Sequence, residues 1–262
     1  MSEMQEMMDM LGRTGEIETN VDIVFVIDAT RSMEPMIEKV KDAALTFHEE
    51  LYSALKEYKR VINNLRIKVT WFRDFYFDGK YAYGESRFFD LPAEKQQFHD
   101  FVAGIEAKGG YDDPESSLEA LTLAMRSDFV QEGERKRHII VLFTDEEAHR
   151  FEDYDRLTRE AAVLGARPEI YPQNMPANIG EFYNAWSGNG RYQEALSGGP
   201  SGTKLDIYGR RLVLCAPDVY PWRDMEIDLE NVLRINMQKG GSGEDLDMRV
   251  VYPMIAMSMA RN

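Results

Sequence analysis

Three apolar runs of this chain end on an aspartate: VDIVFVID over 21–28, RKRHIIVLFTD over 135–145 and RRLVLCAPD over 210–218. Continuous β-branched and aromatic runs, without polar alternation, are the mark of strands covered on both faces in a parallel sheet. Between Met33 and Lys59 the spacing changes: Met36, Ile37, Val40, Ala44, Phe47, Leu51 and Leu55 recur at helical intervals and predict one long amphipathic helix. NLRIKVTWFRDF (64–75) reads as a second strand, with a hairpin partner at the sheet edge in 87–91. Pro92 opens the helix PAEKQQFHDFVAGIEA, and GGYDDPESSLEALTLAMR is a glycine turn leading into another, with Asp113 as N-cap and Pro114 at the first position. NVLRINM predicts an edge strand, KGGSGED a linker, and DLDMRVVYPMIAMSMA a terminal helix that Pro253 kinks or interrupts.

Strands interleaved with helices predict an α/β fold, a doubly wound, mostly parallel sheet flanked by helices on both faces, with one antiparallel edge strand. The expected organisation is an N-terminal extension over 1–20, then one domain over 21–262 with an irregular insertion around 150–209. Within that insertion YPQNMPANIGEFYNAWSG suggests one helix and SGGPSGTK a loop. Ligands of doubly wound sheets bind beyond the carboxyl ends of the strands, where Asp28 and Asp145 fall.

Composition narrows the functions. A formal net charge of −15 argues against nucleic acid, which requires clustered Lys and Arg, and against anionic membrane surfaces. No run reaches the roughly 18 apolar residues of a membrane helix, and MSEMQEMMDMLGRTGEIE lacks the features of a secretory signal, so a cytoplasmic protein is expected. The single cysteine, Cys215, sits in a strand-like setting and reads as a buried packing residue. His48, His99 and His138 are scattered on helices and at a strand start, without the spacing of a zinc site. The aromatic cluster Trp71, Phe72, Phe75, Tyr76 and Phe77 reads as core and edge packing.

The chemistry concentrates after the first strand. IDATRSM is D-x-T-x-S, and a turn leaving the strand can aim the oxygens of Asp28, Thr30 and Ser32 at one point, as a hard cation such as Mg2+ requires. By itself the triplet is better explained as capping of the next helix. GGYDDPE adds Asp112 and Asp113 on a glycine-rich turn, and VLFTDEE adds Asp145 at the end of another strand.

In this order on an α/β pattern, the three pieces resemble the von Willebrand factor type A domain and its metal-ion-dependent adhesion site. The resemblance runs from about Val21 to the last helix. It is closest to bacterial intracellular members that carry a GGGDxPE turn, which RLVLCAPDVYPW and MPANIGEFYNAW also resemble. It implies a Rossmann-like fold and a non-catalytic protein-interaction module. The implied cofactor is Mg2+, with Mn2+ or Ca2+ as alternatives, held by Asp28, Thr30, Ser32, Asp112 and Asp145. Asp113 would replace Asp112 if the turn is offset by one residue. The implied partner is another protein, which completes the metal shell with an acidic side chain. Arg31 stands where the family commonly has glycine; its guanidinium either attracts an anionic partner group or turns to solvent and nearby acids. His149, close to Asp145 in TDEEAH, is expected at the rim of the crevice.

Two other functions compete. VFVIDATRS and VLFTD resemble the first motifs of haloacid dehalogenase phosphatases, but that chemistry needs a general acid two residues after the nucleophile, where Thr30 stands. A scaffold subunit for an AAA+ ATPase or a kinase and phosphatase system differs from the first reading mainly in its partner. No Walker, kinase or G-x-S-x-G motif gives the chain catalysis of its own.

Overall fold

The computed structural model describes residues 19–57, 62–110, 114–165, 171–188, 205–241 and 243–260. Its strands are β1 (Thr19–Asp28), β2 (Asn64–Phe72), β3 (Tyr83–Glu85), β4 (Phe89–Leu91), β5 (Arg135–Phe143), β6 (Arg210–Pro217) and β7 (Val232–Met237). The path across the sheet is β3-β2-β1-β5-β6-β7, with β4 also on β2. All pairings from β2 through β7 along that path are parallel, whereas β3 and β4 run antiparallel on β2. The predicted single hairpin partner is therefore two short strands, β3 on Thr70–Phe72 and β4 on Leu65–Ile67.

Alternation along β1 divides the core. Ile23, Phe25 and Ile27 face one layer with α1 (Glu34–Ala44), α2 (Phe47–Glu57), α3 (Lys95–Ala103) and α8 (Met248–Ala260). Val24 and Val26 face the other, with residues of α4 (Ser117–Met125), α6 (Ile179–Ser187) and α7 (Trp222–Asp228). Leu157 and Ala161 of α5 (Tyr154–Val163) pack on Tyr76. Phe25 centres the first layer, edge-on to Phe47 at 5.2 Å and Phe143 at 5.4 Å. Such pairs add to the area they bury.

Several predicted helices change their limits. The long first helix is two, α1 and α2, joined through Leu45 and Thr46, where Thr46 N–H donates to Ala43 O. Helix α4 starts at Ser117 rather than Pro114, because Glu115 bridges as a strand to Ala148 and Ser116 Oγ accepts from Phe75 N–H. Helix α3 begins at Lys95, past Pro92, and Pro253 lies inside a continuous α8. The irregular stretch carries α5, which periodicity did not announce, and α6, whose Asn178 cap accepts from Glu181 N–H at 2.9 Å. The loop SGGPSGTK and the extension up to residue 18 lie outside the described residues.

Candidate functional site

Chain direction across the sheet reverses at β1, which passes to β2 on one side while β5 flanks it on the other. A crevice forms at the carboxyl ends of strands at such a switch point. The β1 ladder holds to its last residue, since Ala29 N–H still donates to Phe72 O at 2.8 Å. The chain then turns through Thr30 (φ −70°, ψ 163°) into a 3-10 turn at Arg31–Met33.

This turn places the oxygens of D-x-T-x-S against one another. Asp28 Oδ1 accepts from Thr30 N–H at 2.9 Å and from Thr30 Oγ1 at 2.6 Å. The hydroxyls of Thr30 and Ser32 lie 3.4 Å apart, and Ser32 Oγ donates to Asp145 Oδ1 at 3.1 Å. Thr144 Oγ1 closes the other side, donating to Asp28 Oδ2 at 2.8 Å. Helix capping does not use these groups: neither Thr30 before the 3-10 turn nor Met33 before α1 makes a side-chain cap hydrogen bond. Asp28, Asp145 and Thr30 are buried, while Ser32 and Arg31 are exposed. The cluster is thus an oxygen-lined well, closed below and open at Ser32.

Burial pushes the Asp28 carboxyl up to about 7; the donors from Thr30 and Thr144 oppose the shift, and the charge of Asp145 adds to it. Two buried carboxylates joined through neutral hydroxyls form an all-oxygen donor set that fits a hard divalent cation. Among the described residues no three His, Cys, Asp or Glu side chains converge as a metal cluster.

Asp112 and Asp113 lie outside the described residues; the segment before them reaches Thr30, and the segment after them joins the stretch from Glu147 to His149. On one flank, a Cβ on Gly110 (φ +69°) would stand 2.9 Å from Thr30 Cβ and 3.2 Å from Glu115 Oε1. On the other, Glu115 N–H donates to Glu147 O at 3.1 Å, and Glu115 O accepts from His149 N–H at 2.9 Å. His149 itself is interior rather than at the rim: it is buried, with Nε2 3.0 Å from Asp74 Oδ2. The other oxygen of Asp74, Oδ1, accepts from Tyr76 N–H at 2.6 Å, which ties His149 to the segment after β2.

Three contributors escaped the sequence reading. Thr144 precedes Asp145, and a hydroxyl next to a strand-end acid was the available signal. Lys239 and Gly240 come from the loop after β7: Gly240 N–H donates to Asp145 O at 2.9 Å, and Lys239 Nζ lies 3.1 Å from Glu147 and 3.4 Å from Glu146. No local pattern marks them, because only the sheet order brings that loop beside β5. The Glu146 carbonyl is held in turn by Trp222 Nε1–H at 2.8 Å.

A family model described as von Willebrand factor type A domain matches residues 22–168, more than half of the chain. The pilus adhesin SpaC from Lactobacillus rhamnosus GG in its open conformation aligns at 12% identity and a TM-score of 0.46, over 94% of this chain and 31% of that one. Proximal thread matrix protein 1 from the mussel byssus aligns at 10% identity and a TM-score of 0.40, over 94% of this chain and 48% of that one. The chain spans less than half the length of either structure, and likeness at this level carries no functional argument. Comparison with curated proteins gives no match. No described helix is long and apolar enough to cross a membrane.

Proposed function

The chain belongs to the von Willebrand factor type A domain family, and from that premise we propose that it is a non-catalytic module gripping another protein through a divalent metal. Domains of this family generally act in protein interactions. The observation that carries the metal-dependent reading is that the Thr30 hydroxyl serves Asp28 and the Ser32 hydroxyl serves Asp145, with no side-chain cap on the following helix. Asp28, Thr30, Ser32 and Asp145 would hold the ion, joined by Asp112, or by Asp113 if the turn is offset. Mg2+ suits the donor set best, with Mn2+ and Ca2+ as substitutes. When bound, the ion supplies the positive charge that takes a carboxylate from the partner.

The chain's own groups shape that encounter. Ser32 opens the well to solvent, and the neighbouring Arg31, also exposed, is placed to offer charge-assisted hydrogen bonds to an anionic partner group. A partner presenting Asp or Glu fits both features. Phosphatase chemistry of the haloacid dehalogenase type finds no general acid at Thr30, whose hydroxyl is committed to Asp28. A scaffold role beside an AAA+ ATPase or a kinase and phosphatase pair is the same activity with a named class of partner. A cytoplasmic setting accords with this reading.

Isothermal titration of the full chain with Mn2+ and Mg2+, repeated with Asp28→Ala, tests the site. One saturable metal per chain, lost in the variant, is expected. Absence of heat and of thermal stabilisation at millimolar metal would overturn the reading, since a ligand bound only by the folded state must stabilise it. A pull-down in metal and in EDTA then tests the partner step, and capture that survives EDTA would exclude a metal-dependent grip.

A further inference from the structure

Arg73 follows β2 and is nearly fully buried, 6% exposed, yet its guanidinium meets no carboxylate directly among the described residues. Its three nitrogens serve three carbonyls on three separate loops. Nε–H donates to Ala29 O at 3.0 Å, Nη1–H to Tyr81 O at 2.7 Å and Nη2–H to Glu106 O at 2.7 Å. The charge faces Asp78 and Glu106 more remotely, and burial lowers its pKa from the ordinary arginine range. The Trp71 ring lies against its other face, with Cζ 4.8 Å from the centroid.

Ala29 is the residue between Asp28 and Thr30, and its carbonyl also accepts from Lys108 N–H at 2.9 Å. Glu106 and Lys108 belong to the segment that runs through Gly109 to Gly110, where a Cβ would stand 2.9 Å from Thr30 Cβ. Gly109, at φ +75°, packs so closely on the Asp78 carboxylate that a Cβ there would collide with it. One guanidinium therefore ties the loop of Asp28, Thr30 and Ser32 to the loop that ends on Gly110 against Thr30. We propose that Arg73 is a positioning residue that sets the spacing of these two loops and so the affinity of the site for its cation; this rests on the metal reading above. A planar fork with donors on three nitrogens meets this geometry, whereas a lysine ammonium is a single point that cannot span the three carbonyls.

The test compares Arg73→Lys and Arg73→Gln with wild type in Mn2+ titration and in amide hydrogen exchange without metal. Arg73→Lys is expected to weaken Mn2+ binding roughly tenfold or more, the usual cost of losing a support of the ligand shell. Exchange should quicken at Thr30 and Lys108 together while α8 keeps its wild-type rates, which separates loop positioning from general destabilisation. Arg73→Gln, which drops the charge and leaves one donor nitrogen on a shorter stem, should bind Mn2+ no more tightly than Arg73→Lys if geometry governs. Wild-type Mn2+ affinity in both variants, with both amides still protected, would overturn the assignment. If the wild-type chain takes no Mn2+, the metal reading falls and exchange decides alone: paired quickening at Thr30 and Lys108 upholds the coupling of the loops, and unchanged rates overturn it.

Discussion

Ser32 Oγ donates to Asp145 Oδ1 at 3.1 Å, joining residues 113 positions apart. This hydroxyl and that of Thr30 stand between Asp28 and Asp145, so the two buried acids are linked through neutral groups. Such an arrangement is costly for a bare fold, because burial disfavours the charged form of Asp28 and the neighbouring Asp145 adds to that cost.

Asp28→Asn should therefore separate stability from binding. Asparagine can still accept from Thr30 N–H and Oγ1, and it removes a buried charge beside Asp145. The variant is expected to melt at or above the wild-type temperature in EDTA at pH 8, and to show no rise in Tm with millimolar Mg2+. Thermal denaturation in both buffers checks this, and a wild-type Mg2+ shift in the variant would remove Asp28 from the ligand set.

Much of this site was legible before any coordinates. Asp28, Thr30, Ser32 and Asp145 are short-range features at the ends of unmistakable strands, and the alternation of strands and helices brings those ends together. The direction of the side chains was not legible: a helix cap and a contact across to β5 use the same residue types, and the Ser32–Asp145 bond with the missing caps shows the second. His149 misled for a related reason. Proximity to Asp145 in sequence says nothing of which way a residue four places on will face, and Asp74, from the segment after β2, draws it inward. Helix limits failed where tertiary contacts override local signals, as where Glu115 joins Ala148 instead of opening α4.

Gly110 is where loop geometry and the well meet. Its φ of +69° is costly for any residue with a Cβ, and that Cβ would press on Thr30 at 2.9 Å. Gly110→Ala is expected to destabilise the chain by about 1–2 kcal/mol from the left-handed backbone alone, and to weaken Mn2+ binding by displacing Thr30. Chemical denaturation with parallel titration measures both. Unaltered Mn2+ affinity would show that Thr30 tolerates the displacement and contributes little to the ion.

Glu119 gives the fold a pH dependence apart from the metal. It is fully buried in α4, where burial pushes its carboxyl from 4.5 up to about 7, against the hydrogen bonds of its own backbone and Tyr171. Tyr171 OH donates to Oε1 at 2.8 Å, while Oε2 has no hydrogen-bond partner among the described residues. The folded state thus holds this proton more tightly than the unfolded one. Stability from this group is greatest below about pH 4.5, falls as pH rises toward 7, and stays low above it. Glu119→Gln keeps the acceptor for Tyr171 and should raise stability at pH 8 by on the order of 3 kcal/mol, with little difference at pH 4. Urea titrations at the two pH values check the sign; a variant less stable at pH 8 would refute it.

The end of α8 is held by two arginines from neighbouring parallel strands. Arg211 of β6 donates from Nε–H to Ser258 O at 2.8 Å, and Arg137 of β5 donates from Nε–H to Met259 O at 3.1 Å. The last carbonyls of a helix have no partners within it and carry partial negative charge, so buried guanidinium groups satisfy both the hydrogen bonds and the dipole. Arg211 also donates to Tyr208 O at 3.0 Å and Arg210 O at 2.7 Å, so its loss removes the donor from the carbonyls of buried Ser258 and Arg210 as well as from exposed Tyr208. Arg211→Met keeps much of the apolar stem and removes every donor. It is expected to cost roughly 2–3 kcal/mol, the penalty for leaving buried acceptors unmet, and to quicken exchange toward the carboxyl end of α8. The well lies at the opposite ends of the same strands, so Mn2+ affinity should stay at the wild-type value. Lost metal binding at full retention of fold would instead show that α8 and the well are coupled.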